Sequence, residues 1–116
     1  MRRMSRITKL NVDSFSGAMQ NLQSAEGLAM IYFSATWCQP CKKMLPVFQE
    51  FVQEMAQTDI FFGEVDVAEA PTIVQSYGIR SVPTIAVFKH GQLIKIIGGE
   101  MSLARLKEQL PRSFLL

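Results

Sequence analysis

The chain has 116 residues, 48% of them hydrophobic and 19% charged, and a formal net charge of +2. That length suits a single domain, residues 1–116, with a core large enough to stand without cross-links. So weak a charge does not describe a nucleic-acid-binding face, and no apolar run is long enough to span a membrane.

The basic cluster Arg2, Arg3, Arg6 and Lys9 reads as a solvated, poorly ordered start. No apolar segment follows these arginines, so a secretory leader is not expected and the default compartment is the cytoplasm. Under its reducing conditions two neighbouring cysteines read as catalytic, redox-sensing or metal-binding.

Ile7 to Leu10 is a short candidate strand. Asn11 or Asp13 can cap the helix that follows, whose apolar side holds Phe15, Met19 and Leu22. The run Leu28-Ala29-Met30-Ile31-Tyr32-Phe33 lacks polar alternation, as expected of a strand covered on both faces. From Cys38 to about Gln57 the period becomes helical, with Met44, Phe48, Phe51, Val52 and Met55 on one face and a kink expected at Pro46. A strand from Ile60 to Val67 comes next, then a short helix opened by Pro71 and ended by Gly78. Thr84–Phe88 and Leu93–Ile97 read as a hairpin with His90 in its turn, and a last helix runs from its cap at Ser102 to Pro111. The order β-α-β-α-β-α-β-β-α implies an α/β domain with a mixed central sheet and helices on both faces.

The motif Trp37-Cys38-Gln39-Pro40-Cys41-Lys42 falls where the buried strand gives way to the long helix. Three steps along a helix rise about 4.5 Å and put the two Cα atoms roughly 5 Å apart. A disulfide closes over Cα separations of about 4.4–6.8 Å. Cys38, at the helix start, faces unpaired N–H groups that favour a thiolate and is expected to be open to solvent. Cys41 is expected to be less exposed. Each pKa unit by which the thiol falls represents about 1.4 kcal/mol of preference for the anion. A structural zinc site needs four ligands; two cysteines and the distant His90 do not supply them. For Val82–Pro83 these arguments give no reason to expect a cis bond.

The segment Phe33-Ser34-Ala35-Thr36-Trp37-Cys38-Gln39-Pro40-Cys41-Lys42 resembles the active-site segment of the thioredoxin family. Pro46, Tyr77-Gly78-Ile79-Arg80, Val82-Pro83-Thr84, Phe88-Lys89, Gly91 and Gly99 match that family at consistent spacings, so the likeness runs from about Ile7 to Leu110. It implies the thioredoxin fold, a cis bond at Pro83, and thiol–disulfide exchange between Cys38 as attacking thiol and Cys41 as resolving thiol. Trp37, Val82, Pro83 and Gly99, with Pro40, are implied to form the surface that receives disulfide-containing target proteins. An NADPH-dependent thioredoxin reductase is implied as the source of electrons, with no cofactor held by the chain. The alternative is a thioredoxin-fold binding or chaperone module with secondary redox activity.

Two residues depart from the family. Tyr32 stands where a buried aspartate is usual, and a phenol with an ordinary pKa near 10 is a poor base. Deprotonation of Cys41 is therefore expected to be slower, or to use water or Glu64. Gln39 replaces the usual glycine, and the residues between the cysteines influence redox poise. Its bulk is also expected to narrow the range of targets.

Overall fold

The run of apolar residues around Tyr32 forms the central strand of the molecule. The structure is a computed structural model that describes residues 6–21 and 27–115. Along the chain lie β1 (Ile7–Leu10), α1 (Val12–Asn21), β2 (Leu28–Ser34), α2 (Gln39–Glu54) and β3 (Phe61–Asp66). After them come α3 (Pro71–Ser76), β4 (Thr84–Lys89), β5 (Gln92–Gly98) and α4 (Leu103–Gln109). Two 3-10 turns, Val67–Glu69 and Arg112–Phe114, complete the described elements.

The strand order is β1-β3-β2-β4-β5. β1 and β2 run parallel to β3, while β4 is antiparallel to both β2 and β5, so the sheet is mixed as expected. All of Leu28 to Phe33 is buried, because β2 has neighbours on both edges and helices on both faces. Met30 and Tyr32 face a cluster built on Met44, Phe48 and Phe51 of α2. Ala29, Ile31 and Phe33 face Phe15 and Met19 of α1 and Ile73 of α3.

Local chemistry sets the element ends. Asn11 Oδ1 accepts the Ser14 N–H at 2.9 Å, and Ser14 Oγ accepts the Asn11 N–H at 2.9 Å. This reciprocal cap makes Asn11, and not Asp13, the residue that starts α1. Leu22, expected on the same apolar side, lies outside the described residues, as do Arg2 and Arg3. His90 (φ 52°) and Gly91 (φ 80°) turn the β4–β5 hairpin; two successive positive φ values match strand twist in a two-residue turn. Ser102 Oγ accepts the Arg105 N–H at 3.1 Å and opens α4.

Two expectations change. Arg6 is half-buried: its guanidinium donates to the carbonyls of Met55 (2.6 Å), Thr58 (3.0 Å) and Ile60 (2.9 Å) and lies 5.4 Å from the centroid of the Phe62 ring. It ties β1 to the exit of α2, where carbonyls without helical partners collect and a cation is favoured. The chain beyond Pro111 also continues into the core, with Phe114 fully buried against the α2 side of the sheet.

A planar five-donor fork is what reaches three carbonyls at once. Arg6→Ala is expected to cost about 2 kcal/mol in chemical denaturation. Arg6→Lys, with one compact ammonium, should recover less than half of it. Equal stability of wild type and Arg6→Ala would show that this clamp contributes nothing.

Candidate active site

β2 ends at Ser34, and a turn through Thr36 and Trp37 hands the chain to Cys38, the residue that caps α2. Cys38 is extended (φ −96°, ψ 109°) and its sulfur accepts the backbone N–H of Cys41 at 3.1 Å. The sulfur thus takes the place that a serine or aspartate oxygen holds at other helix starts. Pro40 falls in the first turn, where its missing N–H costs no helical bond. Cys38 and Cys41 are joined as a disulfide with Cα atoms 5.3 Å apart, a separation that helix geometry alone anticipates.

The expectation of an open Cys38 requires correction for this oxidised form. Cys38 is 4% exposed and Cys41 3%, and both pack with Ala35 against half-buried Val67 and Val82. Around Cys38 the surface is open: Trp37 is 72% exposed, and Gln39 and Pro40 are exposed too.

The loop before β4 completes the floor. The Val82–Pro83 bond is cis, and the Val82 carbonyl oxygen lies 3.8 Å from Cys38 Sγ. A disulfide sulfur carries no proton, so this is a contact, which becomes a weak donor–acceptor pair only when Cys38 is a thiol. Gly99, at φ 98°, donates its N–H to the Pro83 carbonyl at 2.9 Å. The fold therefore brings Val82 beside the disulfide and joins Gly99, from the end of β5, to the neighbouring Pro83.

On the other side Tyr32 donates its hydroxyl to the Cys41 carbonyl at 2.7 Å. Its ring stacks on Phe48, with centroids 5.2 Å apart and planes 23° apart. Burial, and secondarily the charge of Glu64, raise the phenol's pKa above its ordinary value. Tyr32 stays neutral and is a positioned donor, not a base. Glu64 sits directly opposite Tyr32 in the β2–β3 ladder and is half-buried. The two line a cleft of about 340 Å³ that also reaches Cys41. Sequence reasoning missed the bond from Tyr32 to Cys41, because nothing in residue spacing indicates that a β2 side chain spans to the first turn of α2. Lys9, brought alongside by β1, was missed as part of this cleft for the same reason.

Among the described residues no group of three His, Cys, Asp or Glu is placed to hold a metal ion. No described helix is long and apolar enough to cross a membrane.

The family model for thioredoxin matches residues 6–112. Thioredoxin of Malassezia sympodialis is 39% identical over 80 residues, which cover 69% of this chain and 76% of the relative. That of Coprinus comatus is 36% identical over 89 residues, covering 77% and 80%. Among solved structures, Malassezia sympodialis thioredoxin superposes with a TM-score of 0.77 at 31% identity, covering 93% of this chain and 90% of that one. A Nicotiana alata thioredoxin gives a TM-score of 0.79 at 26% identity, covering 94% and 93%.

The hydroxyl of Tyr32 is testable apart from its ring. Tyr32→Phe is expected to lower stability at neutral pH by about 1 kcal/mol, the usual net worth of one hydrogen bond. A raised phenol pKa gives stability that is complete below about pH 10 and lost as pH rises beyond it. Denaturation midpoints should therefore fall less steeply above pH 10 in Tyr32→Phe than in wild type. Parallel alkaline curves would show that the phenol is not held neutral.

Proposed function

The chain belongs to the thioredoxin family and is a thiol–disulfide oxidoreductase, and from that premise we propose that it reduces disulfides in target proteins with Cys38 attacking and Cys41 resolving. The observation that carries this division of roles is the Cys38 sulfur held at the start of α2 by the Cys41 N–H. A sulfur that accepts hydrogen bonds at a helix N-terminus is favoured as a thiolate, and the thiolate is the nucleophile.

The Cys38 thiolate attacks one sulfur of the target disulfide and expels the other as a thiolate, leaving a mixed disulfide. Cys41, one turn behind at a Cα distance of 5.3 Å, then attacks the Cys38 sulfur. The Cys38–target bond breaks, the target leaves with two thiols, and the protein holds the Cys38–Cys41 disulfide. Two electrons pass from the protein to the target. An NADPH-dependent thioredoxin reductase returns them, and the reducing cytoplasm is the compartment in which such a cycle runs. The acting unit is the whole chain, residues 1–116, as one domain.

Trp37, Val82, Pro83 and Gly99 receive the target. Trp37 supplies exposed apolar area, and the Val82 backbone, beside the disulfide, offers pairing to an extended segment. Gln39, exposed between the cysteines, narrows access to Cys38.

Trapping tests the roles. Cys41→Ser should hold proteins from an extract as mixed disulfides that release on reduction, whereas Cys38→Ser should hold almost none. Equal trapping by both variants would reverse or abolish the assignment. A double-serine variant that keeps its partners would instead favour the binding-module alternative. Gln39→Gly should broaden activity across a panel of disulfide peptides; an unaltered panel would count against a gating role for Gln39.

A further inference from the structure

We infer that Glu64 takes the proton from Cys41 during the resolving step, through water in the cleft they share, while Tyr32, on the same face of the sheet, holds Cys41 in position through its backbone carbonyl. This rests on the oxidoreductase reading above and deepens it by one residue and one proton route.

The resolving thiol has to lose a proton to attack, and Cys41 is 3% exposed. The neighbour bonded to its backbone, Tyr32, has committed its hydroxyl hydrogen to the Cys41 carbonyl at 2.7 Å. A neutral phenol with its proton so engaged cannot accept another.

The titratable and charged groups lining the cleft are Lys9 from β1, Tyr32 from β2, Lys42 from α2, Glu64 and Asp66 from β3, and Glu69 from the following turn. The two lysines carry no lone pair when protonated. Asp66 already accepts the Ala68 N–H at 2.9 Å as the cap of that turn. Glu69 is exposed. Glu64 is half-buried, opposite Tyr32 in the ladder and therefore on the α2 side of the sheet. Residues paired across a ladder share a face. At about 340 Å³ the cleft has room for several waters, each needing about 30 Å³.

The step balances without an outside reagent. The Cys41 proton passes through cleft water to the Glu64 carboxylate. The sulfur's electron pair forms the Cys41–Cys38 bond, the Cys38–target bond breaks, and the target sulfur leaves as a thiolate. The carboxylic acid then returns the proton through water to that thiolate or to solvent.

The test follows the lifetime of a preformed mixed disulfide between Cys38 and a small aromatic thiol, by rapid mixing from pH 6 to 8.5. In wild type, decay should depend little on pH. Glu64→Gln keeps the shape of the side chain, and should lengthen the lifetime about 100-fold at pH 7, the lower end of general-base contributions. Its decay should also become about tenfold faster per pH unit, as thiolate supply falls to solvent. Glu64→Asp should restore the flat profile in part, and Glu69→Gln should match wild type. The first step, attack by Cys38 on the same disulfide, should be unchanged in Glu64→Gln. A wild-type lifetime and flat profile in Glu64→Gln would overturn the route, as would an equal loss in Glu69→Gln. Failure of Cys38 to form a mixed disulfide in any variant would instead overturn the oxidoreductase roles on which the route rests.

Discussion

A helix leaves its first N–H groups without backbone partners, and in α2 one of them, that of Cys41, is met by the sulfur of Cys38 at 3.1 Å. This contact gives the molecule its chemistry. It sets one sulfur at the helix start, where a thiolate is favoured, places the second cysteine a turn behind, and makes closing the disulfide a local event. The rest of the fold delivers that helix start to a usable place. β2, buried along its length, carries the chain through the middle of the sheet and ends where α2 begins. The loop before β4 then lays the Val82 carbonyl beside the sulfur, and Gly99 anchors Pro83 from behind.

The two faces of the disulfide differ. Trp37, Gln39 and Pro40 rise on the exposed side around Cys38. Cys41 looks the other way, toward Tyr32, Glu64 and a cleft of mixed charge. A dithiol cycle would use this asymmetry, with the first thiol open to a partner protein and the second beside a cleft that carries carboxylates. The aromatic stack of Tyr32 on Phe48, with Phe62 edge-on to Phe48 at 6.0 Å, ties the floor of that cleft to the core. Arg6 secures the far end of α2, so the helix is held at both termini.

Much of this was legible from residue order. Strand alternation, or its absence in β2, gave the layer order, and Gly78, Pro71 and Ser102 marked ends that the structure keeps. Helix pitch predicted the spacing of the cysteines. What escaped has a common cause: side chains that act across elements leave no periodic trace. Arg6 looks like part of a basic tail until β1 brings it to the end of α2. Phe114 follows Pro111 too closely for any period to show, yet is fully buried. The bond from Tyr32 to the Cys41 carbonyl joins a strand to a helix nine residues on. Likewise the burial of Cys38 depends on Val82, forty-four positions away. The cis bond at Pro83 was expected on family resemblance, not on local chemistry.

The claim beneath all of this is that the start of α2 makes the Cys38 thiol acidic, and the direct measurement is the rate of alkylation of Cys38 against pH in reduced Cys41→Ser, which keeps the backbone donor and leaves one thiol. The account predicts a midpoint well below the ~8.5 of an unperturbed cysteine. A midpoint at or above that value, or a sulfur that reagents reach only after unfolding, would contradict it.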